Sequence, residues 1–125
     1  MLRAVAHILI VDGTEQVRDA LCRSLALREH EVDVAENAEV ASRLWNSRVY
    51  DIAIIDIVLP SMQGVKIISD LRGNNVDIKI ITISSGGLND VKNCLDQAEK
   101  AGSNRFLAKP FHIPELVSLI DELTA

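Results

Sequence analysis

The sequence predicts a doubly wound α/β domain, one parallel sheet covered by helices on both faces. Five short aliphatic runs alternate with five longer amphipathic stretches along 125 residues. The runs are β-branched and apolar on both faces, as strands buried between two helical layers are. No linker, repeat or low-complexity segment breaks the alternation, and the length is that of one domain, so a single core is expected over 1–125. Five βα units in succession imply right-handed crossovers and a parallel sheet.

Each element has a local reason. The first strand is His7–Val11 (HILIV), followed by a helix over Thr14–Arg28 that places Val17, Leu21, Ser24 and Leu25 on one face. A second strand at Glu31–Val34 precedes a helix over Asn37–Asn46, with Val40, Ala41, Leu44 and Trp45 on one face and Asn37 suited to the N-cap. The third strand is Ile52–Ile55 (IAII), with a helix over Gln63–Arg72 after it. The fourth, Ile78–Ile83 (IKIITI), leads to a helix over Leu88–Ala101 that Gly102 closes from the C′ position. The fifth, Arg105–Ala108, is followed by a helix over Pro114–Leu123 that opens on proline, whose missing N–H costs nothing there.

Composition removes several function classes. With 13 Lys+Arg against 18 Asp+Glu the net charge is −5, so the basic stripe that a phosphate backbone needs is lacking and no direct nucleic-acid partner is expected. The core must be aliphatic, because 48% of the residues are hydrophobic and only 3% aromatic, which also removes the stacking platforms of single-strand binders. Asp51, Asp56 and Pro60 interrupt the most apolar stretch, so no membrane span is expected. The opening MLRAVAHILIVDG faintly resembles a signal peptide, but His7 sits inside its apolar run and no small-x-small cleavage site follows; a first strand is the better reading. Cys22 and Cys94 form no CxxC motif, and a reduced, cytoplasmic protein is expected.

In sheets of this kind ligands bind beyond the carboxyl ends of the strands. The residues there are Asp12-Gly13, Asp56, Ser84-Ser85 and Lys109-Pro110. Taken singly, each has an ordinary explanation: an aspartate after a strand caps a turn, a serine lines a loop, a lysine is solvated. Taken together, two carboxylates, a hydroxyl and an ammonium at four strand ends describe phosphoryl transfer onto a carboxylate, stabilised by fixed charge rather than by a general base. Two converging carboxylates repel unless a cation intervenes, and a hard ion such as Mg²⁺ prefers oxygen ligands and keeps waters for a phosphate to displace. His7, His30 and His112 lack metal-ligand spacing, Trp45 reads as packing at a helix end, and Gly86-Gly87 lies outside any phosphate-cradling motif and reads as a loop that rearranges cheaply.

HILIVDG, DIAIIDIVLPSMQG, IKIITISS and FLAKPF, in this order from His7 to Leu123, resemble the receiver domain of two-component response regulators, in particular its single-domain, chemotaxis-regulator-like members. Asp56, Pro60 and Gly64 in D-x-x-x-P-x-x-x-G, and Lys109-Pro110-Phe111, are the most specific parts. The resemblance implies a flavodoxin-like (βα)₅ fold with strand order 2-1-3-4-5. It implies that Asp56 is the phosphoacceptor, that Asp12 belongs to the acidic pair, and that Ser84 is the hydroxyl that swings toward the phosphoryl group. It further implies that Lys109 is the family's lysine, that Phe106 is the aromatic that changes rotamer with Ser84, and that Ser85 is the small residue leaving room for phosphoryl oxygens. Mg²⁺ would be held by Asp12, Asp56 and the backbone carbonyl of Val58. The Lys109–Pro110 peptide would be cis. The phosphoryl donor would be a histidine kinase or histidine phosphotransfer protein, and the output surface the fourth helix, Arg105–Ala108 and the last helix. The protein would not be an enzyme in its own right but a receiver supporting its own phosphoryl transfer and dephosphorylation. No output domain follows the last helix, so a single-domain switch is expected, although a segment of a longer regulator reads the same.

One position departs from the pattern. The family has two adjacent acids after the first strand, and here Asp12 is followed by Gly13. The absent side chain is the one that would touch the metal directly, so Mg²⁺ is expected to bind weakly; Glu15 lies further along, where it favours the helix N-terminus. The alternative that follows is a pseudo-receiver, a binding module with weakened metal binding and little or no phosphorylation. Two other classes fit less well. A haloacid-dehalogenase-like hydrolase wants an acid where Val58 stands, and a flavodoxin-like electron carrier wants a hydroxyl-rich loop where Asp12-Gly13-Thr14-Glu15 puts carboxylates.

Overall fold

The structure, a computed structural model, describes residues 5–57, 63–74, 77–84 and 88–125. Its elements are β1 (His7–Val11), α1 (Glu15–Ala26), β2 (Glu31–Ala35), α2 (Ala38–Ser47), β3 (Ile52–Asp56), α3 (Gln63–Asn74), β4 (Lys79–Ser84), α4 (Leu88–Ala101), β5 (Arg105–Ala108) and α5 (Ile113–Thr124). All five strands pair in parallel in the order β2-β1-β3-β4-β5, as expected.

Strand alternation divides the core in two. Leu9, Val11, Ala53, Ile55 and Ile80 face Ala41 of α2, Ile67, Ile68 and Leu71 of α3, and Ala98 of α4. The intervening residues Ile8, Ile10, Ile52, Ile54, Ile81 and Ile83 face Leu21 and Leu25 of α1 and Leu116, Val117 and Ile120 of α5. Successive side chains on a strand point to opposite faces, so an unbroken run such as IAII serves both layers at once. A fully buried isoleucine contributes roughly 1.5–3 kcal/mol, and these strands carry most of them.

The caps fix where the elements end. Asn37 Oδ1 accepts the Val40 N–H at 2.9 Å, as its N-cap position predicts. Gly102 takes φ +116 beyond α4, a left-handed conformation that favours glycine, and Ser103 N–H donates to Ala98 O at 2.9 Å. The first helix is shorter than its periodicity suggests. Thr14 is extended, with φ −99, and the chain leaves α1 through a turn in which Glu29 is left-handed at φ +69. The buried face ends at Leu25, and Leu27, though still bonded to Arg23 O, is exposed, so no packing carries the helix further.

β5 is seated by a clamp from α3. Arg72 donates to Gly102 O at 2.8 Å, to Ile78 O at 2.5 Å and to Asn104 Oδ1 at 2.6 Å, tying the α4–β5 turn to the start of β4. Gly64 holds the other end of the sheet tight. A Cβ there would collide with the Ile57 Cα and stand 2.5 Å from Asp56 O, so the first turn of α3 packs directly against the chain leaving β3. That contact gives the glycine of the D-x-x-x-P-x-x-x-G run a physical reason.

Candidate functional site

The parallel register brings the strand ends to one edge. Asp56 ends β3 opposite Ile83, Ser84 ends β4 opposite Ala108, and Asp12 follows β1 directly, its N–H donating to Ala35 O at 3.1 Å. Asp12 is fully buried, Asp56 is 6% exposed and Ser84 is fully buried. Two carboxylates this far from water are tolerable only when paired.

Lys109 pairs both. Its Nζ donates to Asp12 Oδ2 at 2.9 Å and to Asp56 Oδ2 at 3.2 Å, from a residue just beyond β5. Burial works to lower the lysine's pKa, but the hydrogen bond it donates to Asp12 and the charges of the two carboxylates outweigh it, and the ammonium titrates above its ordinary value. Lys109 N–H donates to Ser84 O at 2.7 Å, which fixes the chain next to β4, and the Lys109–Pro110 peptide is cis, as expected.

The β1–α1 turn completes the site. Asp12 Oδ1 accepts the Thr14 N–H at 2.8 Å, and Arg18 Nη1 donates to Asp12 O at 2.8 Å. Gly13 and Glu15 are exposed. Phe106 is half-buried and packs against the α2–α3–α4 layer beside β4. An apolar recess of about 500 Å³ opens next to Lys109, lined by Val17, Ala20, Leu21, Phe111 and Ile113.

Of the residues singled out from the sequence, Asp12, Asp56, Ser84 and Lys109 converge at this edge. Val58, Pro60, Ser85 and Gly86-Gly87 lie outside the described residues. Sequence reasoning missed Arg18. Its signal was its place in the first turn after a strand-end aspartate, where a long helical side chain leans back toward the helix N-terminus.

The donor chemistry fits a hard cation. Asp12 and Asp56 offer carboxylate oxygens, and an ion of the Mg²⁺ type needs only one or two carboxylates beside its waters and a phosphate. The described residues hold no group of three His, Cys, Asp or Glu side chains placed to bind a metal.

Fold and strand-end site together define a receiver-type α/β domain. The chain matches the family described as the response regulator receiver domain over residues 8–121, and it belongs to that family. It is 30% identical over 119 residues to the transcriptional regulatory protein PhoP of Escherichia coli K12, covering 94% of this chain and 51% of that one. It is 32% identical over 121 residues to the DNA-binding transcriptional regulator NtrC of Azospirillum brasilense, covering 94% of this chain and 24% of that one. The chain thus spans half of PhoP's length and a quarter of NtrC's. Among solved structures, TrrA from Thermotoga maritima in complex with Mg²⁺ and BeF superposes with a TM-score of 0.81 at 29% identity, covering 94% of this chain and 97% of that one. A CheY-like receiver from Methanospirillum hungatei superposes at 0.86 with 23% identity, covering 95% and 93%, and shares the fold. Receiver domains interact with histidine kinases or phosphotransfer proteins and typically bind Mg²⁺. No helix among the described residues is long and apolar enough to cross a membrane.

Proposed function

We propose that this chain accepts a phosphoryl group on Asp56 from a histidine kinase or phosphotransfer protein and passes the signal on by protein contact. The supporting observation is the ammonium of Lys109 lying between Asp12 and Asp56. In the transfer an Asp56 carboxylate oxygen attacks phosphorus as the bond to the donor's nitrogen or oxygen breaks, and the donor leaves with the electron pair. Lys109 then exchanges a carboxylate oxygen for a phosphoryl oxygen, and the Ser84 hydroxyl donates to another. Asp12 and Asp56 would hold Mg²⁺ with the Val58 carbonyl, weakly because Gly13 brings no carboxylate. When bound, the ion offsets negative charge on the phosphoryl oxygens. The chain acts as a receiver that supports its own phosphoryl transfer and dephosphorylation.

The phosphoryl group adds about −1.5 to −2 of charge and strong acceptor oxygens, biasing two pre-existing arrangements of the face built from α4, β5 and α5, where Phe106 turns inward. Gly13 favours a second reading, a pseudo-receiver that keeps the fold and partner surface without efficient phosphorylation. Intact-protein mass after incubation with acetyl phosphate and Mg²⁺ separates the two. The switch gains one acid-labile phosphoryl mass that Asp56→Asn abolishes; a wild-type chain that gains none is a pseudo-receiver.

A further inference from the structure

A relay of hydroxyls runs from the middle of β4 to the peptide that carries Phe106. Thr82 is fully buried, and the register sets it between Ile55 of β3 and Phe106 of β5, with all three side chains on one face of the sheet. Its Oγ1 donates to Ser103 Oγ at 2.7 Å. Ser103 Oγ in turn donates to Arg105 O at 2.8 Å, the nearer of two carbonyls, with Ile80 O at 3.3 Å. Arg105 O belongs to the peptide bond that leads directly into Phe106.

The turn that carries Ser103 is fixed by other bonds. Asn104 Oδ1 accepts the Ile80 N–H at 2.8 Å and Arg72 Nη2 at 2.6 Å, and Asn104 N–H donates to Ile80 O at 2.9 Å. Ser103 therefore meets Thr82 from a seat that does not depend on Thr82. Packing holds Phe106 less firmly. A cavity of about 30 Å³ lies between α4 and this turn, with Leu95, Ala98, Ser103 and Phe106 in its wall, and side chains lining a gap lose contacts on that side. Phe106 is only half-buried, and on β4 the face beside it carries Thr82 and then Ser84. A buried hydroxyl is costly to leave without a partner, so Thr82 resists any arrangement that breaks the relay.

Resting on Asp56 as the acceptor and on the inward turn of Phe106, we propose that Thr82 and Ser103 are positioning residues that set the threshold of that turn. Their relay holds the Arg105–Phe106 peptide, and with it the ring, in the half-buried position. Neither hydroxyl touches the reacting atoms; both act through the backbone of β5. Removing either one frees the peptide. Replacing the Thr82 hydroxyl by a methyl also gives an inward ring an apolar surface to pack on. Both changes move the ring inward before any phosphoryl group arrives, and a larger competent fraction takes up the group more readily.

The test follows the Phe106 ring by fluorine NMR. The chain has two phenylalanines, so fluorophenylalanine gives two signals, which Phe106→Leu assigns. The readout is the change in the Phe106 signal between H₂O and D₂O, which reports how far solvent reaches the ring. The full chain is then phosphorylated by acetyl phosphate in saturating Mg²⁺ and followed by intact mass. In wild type the solvent effect should fall on phosphorylation. In Thr82→Val and in Ser103→Ala it should fall with no phosphodonor present, and both variants should label roughly two- to tenfold faster, the scale of one lost hydrogen bond. Thr82→Ser keeps the hydroxyl and should match wild type in both readouts, which a general loosening of the core would not allow. Unphosphorylated Thr82→Val and Ser103→Ala with the wild-type solvent effect, or Thr82→Ser changed as far as Thr82→Val, overturns the role of the relay and leaves Asp56 as acceptor. A wild-type chain that takes no label overturns the acceptor reading, and the relay then stands or falls on the unphosphorylated variants alone.

Discussion

Two carboxylate clusters sit at opposite ends of β1, and they are built on opposite principles. At the carboxyl end, Asp12 and Asp56 both accept from the ammonium of Lys109. At the amino end, one carboxylate is surrounded by donors. Asp33 Oδ2 accepts the Tyr50 hydroxyl at 2.7 Å and the Arg48 guanidinium at 3.2 Å, with His7 Nε2 at 3.1 Å and the His7 ring 4.5 Å from that of Tyr50. Burial pushes the Asp33 carboxyl upward, but the Tyr50 and His7 hydrogen bonds and the charge of Arg48 outweigh it and hold it below its ordinary value. Burial and the same carboxylate drive the Tyr50 hydroxyl well above its own. The amino-end cluster has donors to spare and holds β1, β2 and the α2–β3 turn together. The carboxyl-end cluster sets two buried carboxylates on one lysine, and it is there that an incoming cation or phosphoryl group changes the balance.

The largest effect should come from breaking the carboxyl-end pairing. Lys109→Met leaves two buried carboxylates facing each other, and losing one partner of a buried pair costs on the order of 3–5 kcal/mol. Urea melts at pH 7 should show this loss, and Mg²⁺ should restore part of it.

Repair at the same end should be smaller. Gly13→Asp adds a carboxylate beside Asp12, and even loss of an outer metal partner typically costs about 10–100-fold in affinity, so Mg²⁺ binding by calorimetry should tighten at least roughly tenfold. Without metal the variant should be less stable than wild type, because a third carboxylate then repels the other two. Equal Mg²⁺ affinities would mean that another group already supplies the missing ligand.

These residues were legible in the sequence because a parallel sheet sends every strand end to one edge, so Asp12, Asp56, Ser84 and Lys109 could be placed without knowing any side-chain conformation. The amino-end cluster was not legible. His7, Asp33, Arg48 and Tyr50 come from β1, β2 and the α2–β3 turn, and what joins them is the register that sets Asp33 opposite Leu9, two residues along the same face from His7. No spacing in the sequence encodes that register. Arg18 was hidden for a different reason, since its role depends on which way one long side chain folds. The early end of α1 turned on Glu29 adopting a left-handed conformation, which glutamate does not advertise.

At the amino end the expected effects are modest. Tyr50→Phe removes one donor from a carboxylate that keeps two other partners, and a hydrogen bond to a charged group is worth about 1.5–3 kcal/mol, so thermal melts should show a loss at or below the lower figure. Phosphorylation of Asp56 should be unaffected, as the cluster lies at the far end of β1.

The pH dependence of stability should separate the two ends. Asp33 titrates below its unfolded value, so its contribution is complete above about pH 3.8 and is lost as pH falls through the lower folded value. Lys109 titrates above its unfolded value, so its contribution is complete below about pH 10.5 and is lost as pH rises through the higher folded value. Asp33→Asn should therefore flatten the acid limb of the stability curve and leave the alkaline limb in place.

The most direct test is a map of backbone amide chemical shifts before and after phosphorylation by acetyl phosphate. The largest changes should lie at Asp12, Asp56, Ser84 and Lys109 and extend along Arg105–Ala108 into α4 and α5, while His7, Asp33 and Tyr50 stay where they were. Changes centred on Asp33, or a phosphorylated chain whose Asp56 and Lys109 amides do not move, would contradict the account.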